Sequence, residues 1–492
     1  MRVHAGHDHP GDDGVGDTKR VVIVGGGFAG ITLAEQLEHR LPAGWTLTLV
    51  SQENFITYNP LLPEVVGASI MPGHVVAPLR QMIHCSSVCM AQVSEIDLDQ
   101  KVVHYLGEGT GRLHYDQLVL AVGVQANLQL VKGMAQYALP LKTLGDALFL
   151  RNRIIARLEQ AELQPDPEAR RWLTTFVVIG GGFSGVETAG ELVDFLHASL
   201  RYYPRIRAED LRVVLLHGQD RLLPELSRTL GEFAYRKMHM QGLDVRLNAR
   251  AVRIDDRCVT LADGELIPAG TVISTIGTVP NPLLADLPFT RDRGRVVTAP
   301  DMSVPGHPGV WALGDCAAVP NMLDGKVSPP TAQFADRQAR VLARNIAASL
   351  AGRPTRPFKY KPAGQLSSIG HNKAVAEMFG LRISGFVAWL LWRGVYLLKI
   401  PTLSRKARLF LEWNWAMFFP PDISHLGFRR TRRDAPPPAA RSKAAAVASA
   451  TMVTARPVSG AADNGGPVMD EPTPLDPGMV DAPPATPVAL HA

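Results

Sequence analysis

Cysteine is scarce in this chain: only Cys85, Cys89, Cys258 and Cys316 occur in 492 residues. Their spacing forms neither a C-x-x-C redox motif nor a zinc-type double pair, which leaves incidental thiols in a reducing compartment. The first twenty residues (MRVHAGHDHPGDDGVGDTKR) hold no apolar core such as a signal peptide needs, so the chain is not expected to be exported. His4, His7 and His9 are read as part of a solvated arm, and no metal site is expected. Also missing is an apolar run of the roughly 20 residues that span a bilayer. Ile383 to Leu398 is strongly apolar, but Arg393 interrupts it. No Ser/His/Asp or Cys/His constellation for nucleophilic catalysis stands out. The formal charge of +5 is modest for this length and selects no class of partner by itself.

What is present is ordinary globular composition, 46% apolar and 20% charged, over a length that calls for two or more domains. Residues 1–18 are polar, and order is expected from Lys19. From Asp434 to Ala492 there is no aromatic residue, and Pro, Ala, Gly and Ser dominate. That leaves too little apolar surface to offset chain entropy, so a disordered tail is expected. Between the ends one unit occurs twice, VVIVGGGFAGITLAEQL at 21–37 and FVVIGGGFSGVETAGEL at 176–192. Each is a β-branched run, a glycine cluster and an amphipathic helix. Helical spacing over 151–163 predicts a link between the two units, followed by a polar turn region, QPDPEARR. Another helix is expected over 329–352, opened by Pro-Pro-Thr and closed by Gly352.

The glycines carry the first chemistry. Gly25, Gly27 and Gly30 lie between a predicted strand and a helix, and Gly180, Gly182 and Gly185 repeat the spacing. In a G-x-G-x-x-G turn the first glycine permits the tight bend, the second lets backbone approach a pyrophosphate, and the third lets helix pack on strand. The helix N-terminus then faces the phosphates. The usual partner is an acid at the end of the next strand, which accepts hydrogen bonds from an adenosine ribose. Here Trp45–Val50 runs into Ser51-Gln52-Glu53, so the acid comes late if Glu53 supplies it, and Leu211–Leu216 ends at His217. An imidazole there removes the anion that would repel a 2′-phosphate, which admits NADPH. Alternatively, backbone groups or Gln219 bind the ribose.

Further motifs join these: NFITYNPLLPEV at 54–65, DQLVLAVG at 116–123, PLKTLGDALFLRNRI at 140–154, TIGTVPNPLL at 275–284, VWALGDCA at 310–317, TAQFADRQ at 331–338, and the segment from Ser368 to Lys399. Together they resemble the type II NADH dehydrogenases, single-subunit NADH:quinone oxidoreductases that pump no protons, from about Lys19 to about Gly427. The resemblance implies an α/β fold of two Rossmann-like domains, for FAD and NAD(P)H, the second inserted in the first, with a C-terminal amphipathic region. Boundaries are expected at 1–18 (arm), 19–145 and 293–365 (FAD), 146–292 (NAD(P)H), 366–430 (membrane-associating) and 431–492 (tail).

Residue by residue, the resemblance implies FAD contacts at Gly25, Gly27, Phe28, Ala29, Gly30, Ser51, Glu53, Asn59, Pro60, Leu61, Ala121, Gly123, Gly314, Asp315, Ala332 and Gln333. Asp315 would hold the ribityl chain as an acceptor-only carboxylate. NAD(P)H contacts fall at Gly180, Gly182, Phe183, Ser184, Gly185, Glu187, His217, Ile276 and Gly277. Catalytic roles fall on Glu187, Gln333, Arg337 and Lys373. Two departures stand out: Arg337 occupies a position where the family's A-Q-x-x-x-Q-Q motif has Gln, though Gln338 matches, and Val122 replaces the Thr of its A-T-G box.

From Leu381 to Arg433 the chain has ten Lys/Arg and two acids, with four of its seven tryptophans, Trp389, Trp392, Trp413 and Trp415. A helix lying in the lipid interface is expected, attracted by anionic head groups. Nucleic acid is not expected, because stacking platforms sit on exposed sheets or grooves. With the family resemblance, this implies a peripheral enzyme, a homodimer, at the cytoplasmic face of the inner membrane. The alternatives are a sulfide:quinone-type oxidoreductase, although no cysteine stands at that enzyme's positions, and a slow flavin-binding sensor or assembly protein.

Overall fold

The computed structural model describes residues 18–427. The three arm histidines, the basic group Arg429, Arg430, Arg432 and Arg433, and the tail lie outside the described residues.

Two five-stranded parallel sheets carry the architecture. The first runs, in spatial order, Val310–Ala312, Gln117–Leu120, Lys19–Val24, Trp45–Ser51 and Ser87–Met90. The second runs Ala138–Pro140, Thr271–Ser274, Thr175–Ile179, Arg212–Leu216 and Asp244–Arg246. The central strands are the two β-branched runs, and every residue of Val21–Val24 and Thr175–Ile179 is buried, as a strand covered on both faces must be. The chain leaves each central strand to one side and returns on the other, so the carboxyl end of that strand opens a crevice at a topological switch point. Strand Val310–Ala312 completes the first sheet only after the whole second sheet has been built. The second unit is thus inserted in the first, as expected.

Local signals placed some element boundaries wrongly. The QPDPEARR stretch is not merely a turn: it opens a helix, Pro167–Leu173, where the Asp166 carboxylate accepts from the N–H groups of Glu168 and Ala169, and Pro167 takes the first turn. That is the chemistry of a helix start. The linking helix begins earlier than its apolar spacing indicated, at Leu144, because Thr143 and Asp146 form a capping box.

At the C-terminal end, Gly364–Ser368, Ala374–Met378 and Leu381–Gly385 form an antiparallel sheet. The helix expected from Ile383 starts at Phe386, since residues 381–385 are taken up as the third strand. It ends at Lys399 because Pro401 holds Ile400 extended (ψ 131°). A second helix, Leu403–Phe418, follows. Trp389, Trp392 and Trp413 are buried, so three of the four tryptophans read as interfacial belong to the core, and Trp415 alone is exposed. The last described residues are tied down by the linking helix. Arg151 donates to the Asp422 carbonyl at 2.9 Å, and Asn152 exchanges two hydrogen bonds of 3.0 Å with Leu426.

Candidate active site

The two glycine turns share one geometry. Gly25 and Gly180 adopt φ of +112° and +123°, a region that L side chains avoid. A Cβ on Gly30 would lie 1.8 Å from the Gly25 carbonyl oxygen, and one on Gly185 would lie 1.7 Å from that of Gly180. The third glycine thus closes the loop onto the helix. The middle glycine behaves oppositely. A Cβ on Gly27 meets nothing within 4 Å, and one on Gly182 meets only Glu225 Oε1 at 3.8 Å. Gly27 and Gly182 are the N-caps of Phe28–Leu37 and Phe183–Ser199, neither with a side-chain cap. Open space next to uncapped N–H groups fits a pyrophosphate.

Around the first turn, Ser51 ends its strand buried, and its Oγ would sit 2.3 Å from a Cβ on Gly26, whereas Glu53 is exposed in the bend beyond. The Ala121 carbonyl closes the loop at 2.4 Å from a Cβ on Gly25. Asn59, Pro60 and Leu61 form a short 3-10 turn, with Asn59 Nδ2 donating to the Lys142 carbonyl at 3.3 Å. Gly123 and Gly314 take positive φ, 63° and 75°. A Cβ on Gly314 would lie 3.0 Å from the Ala29 side chain, which brings the Gly-Asp box onto the fingerprint helix. Burial pushes the Asp315 carboxyl up, against the pull of Lys142 and Arg295. The helix Ala332–Leu350 starts at Thr331 without a side-chain cap, so the amides of its first turn are available to a ligand.

Around the second turn, Phe183 and Ser184 open the helix, and Ile276 lies 2.7 Å from a Cβ on Gly180. Gly277 has φ +71°. His217 follows its strand directly and accepts from the Gly181 N–H through Nδ1 at 3.1 Å.

The helix Phe183–Ser199 also carries carboxylates at i, i+4 and i+7. Glu187 and Glu191 are buried and Asp194 is partly so. Glu187 accepts from the Ser368 N–H at 3.1 Å, Glu191 from Ser69 Oγ at 3.0 Å, and Asp194 from the His371 N–H at 2.5 Å. Glu64, also buried, accepts from the Trp413 indole at 2.9 Å. Burial pushes Glu187 up to about 8, against the Ser368 hydrogen bond. It pushes Glu64 up to about 7, against the Arg393 charge and the Trp413 hydrogen bond, and lifts Glu191 well above the carboxylate range. The counter-charge is Arg393, whose guanidinium lies 3.7 Å from the Trp389 ring centre and 5.1 Å from that of Trp413. Burial lowers Arg393 to about 10, while Glu64 and Glu191 hold it up.

A pyridine nucleotide-disulphide oxidoreductase model matches residues 19–339, and an NDH2 C-terminal domain model matches residues 363–420. The type II NADH:quinone oxidoreductase Ndh of Mycobacterium tuberculosis is 32% identical over 411 residues, covering 80% of this chain and 87% of its own length. The chain belongs to the type II NADH:quinone oxidoreductases. Demethylphylloquinone reductase NdbB of Synechocystis sp. is 33% identical over 407 residues, with 80% of this chain and 95% of that one covered. NDH2 from Plasmodium falciparum, solved in complex with NADH, shares the fold at a TM-score of 0.76 over 83% of this chain and all of its own, with 19% identity.

In this type II enzyme three of the four residues given catalytic roles, Gln333, Arg337 and Glu187, stand at the two ends of one strand. Gln333 Nε2 donates to the Gly364 carbonyl at 3.0 Å, and its Oε1 accepts from the Tyr360 hydroxyl at 3.4 Å. The exposed Arg337 lies over the Tyr360 ring at 5.6 Å. Strand Gly364–Ser368 runs from that group to Glu187, four steps of about 3.3 Å. Lys373 sits elsewhere, beside Asp194, and with the Gln241 amide turned to suit both neighbours its Nζ donates to Gln241 at 3.2 Å. Gln338 is buried and accepts from the Gly314 N–H at 2.8 Å, so the last Gln of TAQFADRQ braces the Gly-Asp box rather than facing a substrate. Sequence reasoning missed Glu64, Glu191, Arg393 and Tyr360. The only available signal was the i, i+4, i+7 spacing of acids on a helix.

Proposed function

We propose that this chain takes a hydride from NADH onto bound FAD and passes the electrons to a membrane quinone without moving protons across the membrane. The overall change, NADH plus quinone plus one proton giving NAD⁺ and quinol, needs one proton from outside the nicotinamide. The observation that carries this reading is the pair of glycine turns, each with an open middle glycine at the end of a central strand. Bound FAD supplies the two-electron acceptor. Residues 19–137 and 293–365 hold it, residues 138–292, which begin with the edge strand Ala138–Pro140 and so start earlier than the expected 146, hold the nicotinamide dinucleotide, and the protein fixes their relative position. Glu187 stores a proton in a buried setting near the reacting groups, and Gln333 with Arg337 and Tyr360 lines the quinone side. The sulfide:quinone alternative has little support, since all four cysteines are free and Cys316 is fully buried. The test is anaerobic: NADH should bleach the FAD-loaded full chain, and a soluble quinone analogue should restore the colour. Bleaching without recovery rules out the quinone step.

Residues 366–430 form the membrane face, and the enzyme acts there as a homodimer on the cytoplasmic side. No described helix is long and apolar enough to cross a membrane. The two C-terminal helices turn Trp389, Trp392 and Trp413 inward and leave Trp415 exposed, together with Leu403, Phe418, Leu398 and Val387 at between 64% and 82%. Such a surface suits helices lying in the lipid interface. Replacing Val387, Leu398, Leu403 and Phe418 together by Ser should weaken co-sedimentation with anionic phospholipid vesicles at least about a hundredfold, since each such side chain contributes about 1.5–3 kcal/mol on burial. Unchanged vesicle binding overturns the membrane assignment. Loss of the dimer in light scattering, with vesicle binding retained, reassigns the face to a second copy.

A further inference from the structure

The opening turns of the helix Ala332–Leu350 bring three polar side chains to the quinone side, and two of them are engaged within the fold. Gln333 gives an N–H to the Gly364 carbonyl at 3.0 Å, and its own carbonyl accepts from the Tyr360 hydroxyl at 3.4 Å. Gln338 is buried against the Gly-Asp box, where it accepts from the Gly314 N–H at 2.8 Å. Arg337 differs from both. It stands one turn after Gln333 on the same helix face, exposed, with its guanidinium 5.6 Å from the Tyr360 ring centre. Among the described residues it has no carboxylate partner. The adjacent Asp336 is taken by Arg340, which donates to both of its oxygens at 3.1 Å, and by the Thr32 hydroxyl at 3.3 Å. A second cation stands nearby at the end of Phe386–Lys399: burial lowers Lys399, Asp336 opposes that, and the like charge of Arg337 lowers it further. Tyr360 ties the group together, since its hydroxyl orients Gln333 while its ring face holds the guanidinium. The donor left available on this face is thus a fixed positive charge rather than an amide.

We propose that Arg337 is a specificity-determining residue that turns the quinone side toward acceptors whose ring bears an ionised oxygen, the hydroxyquinones. The inference rests on the quinone assignment above. A glutamine at this position would offer a neutral amide, which serves any carbonyl alike. A guanidinium offers several N–H donors and a permanent charge. A neutral quinone presents only carbonyl oxygens to it, whereas an ionised ring oxygen receives a charge-assisted hydrogen bond, roughly twice as strong as one between neutral groups. Stacking on Tyr360 favours recognition further, because a side chain already held on a ring has less rotamer freedom to lose when it binds. The exposure of Arg337 limits the effect, since solvent and salt screen an exposed charge. The ionised oxygen is a ring substituent and leaves the balance of the reaction unchanged. The hydride of NADH and one further proton convert the two carbonyls to hydroxyls in either class of acceptor.

Steady-state reduction of a paired set of quinones by the FAD-loaded full chain at saturating NADH tests this. The pair is a 2-hydroxynaphthoquinone, ionised at neutral pH, and its uncharged 2-methoxy counterpart. The ratio of kcat/KM for the ionised acceptor over the neutral one should fall about tenfold in Arg337→Gln, chiefly through KM, and largely return in Arg337→Lys, which keeps the charge. Comparing ratios cancels the intrinsic difference in reactivity between the two quinones. In the unmodified chain the same ratio should drop severalfold between about 0.01 M and about 1 M salt, over which the Debye length shortens from about 30 Å to about 3 Å. That salt dependence should flatten in Arg337→Gln, and the unmodified chain gives its answer whether or not the variants fold. A ratio indifferent to salt, or one equal in the unmodified chain and Arg337→Gln, overturns the proposal. Bleached flavin that neither quinone reoxidises is a distinct failure, which sinks the quinone assignment itself.

Discussion

Glu187→Gln should leave FAD bound and still reducible by NADH, yet lower quinone-dependent turnover by at least about a hundredfold, the usual worth of a positioned general acid. The side chain is buried, accepts from the Ser368 N–H at 3.1 Å, and is lifted by burial to about 8. At neutral pH it therefore holds a proton inside the fold. Glutamine keeps the size and the acceptor for Ser368 but has no proton to give. Quinone-dependent turnover should fall as pH rises through about 8, and that limb should be missing from the variant. Stability follows the same group. Its folded value lies above the unfolded one, so the native state retains a proton that the unfolded chain has already lost. Stability contributed by Glu187 is then full below about 4.5 and is lost as pH rises to about 8, by up to about 1.4 kcal/mol per pH unit. Urea melts at several pH values should show a flatter profile for the glutamine variant. A variant that keeps both its turnover and the high-pH limb removes Glu187 from proton delivery.

The parts of this site that the sequence disclosed are those built from neighbours along the chain. A glycine fingerprint needs six residues, a strand before it and a helix after it, so both turns were readable with their helices, and the late strand Val310–Ala312 followed from the family likeness. The acids around Arg393 were not readable, because their meaning depends on contacts between distant segments. Glu64 meets Trp413 across 349 positions, and Glu187 meets Ser368 across 181. Acids spaced i, i+4 and i+7 usually mark a solvated helix face, and only burial on the structure reverses that reading. Arg393 looked like a break in an apolar run, and the tryptophans beside it looked like interfacial anchors. Both are explained by one arrangement, a cation stacked between Trp389 and Trp413 and facing buried carboxylates. The exposed apolar surface falls instead to residues such as Leu403 and Phe418, which composition alone could not tell from core.

Arg393→Met should cost about 3 kcal/mol at pH 8, where removing one partner leaves a buried carboxylate without its counter-charge. Methionine has comparable length and no charge, so the loss reports electrostatics more than packing. The guanidinium also donates to the Trp413 carbonyl at 3.3 Å, and with the ring stacking these contacts account for about 1 kcal/mol that any apolar replacement forfeits. The remainder depends on pH. Glu64 is held down to about 7 partly by Arg393, so without the arginine it binds a proton more tightly and is neutral throughout the mildly acidic range. Glu191, already raised well above the usual range, behaves likewise. The deficit of the variant should therefore shrink to about 1 kcal/mol near pH 6, where no unpaired charge remains to be buried. Adding Glu64→Gln, which keeps an acceptor for the Trp413 indole, should recover most of the loss at pH 8, and the double-mutant cycle reads the coupling directly. An equal deficit at pH 6 and pH 8, with no recovery in the double variant, would assign Arg393 to packing alone. Recovery instead means that one ion group fastens the C-terminal helices to both glycine-fingerprint units, since Glu64 belongs to the first unit and Glu191 to the helix of the second.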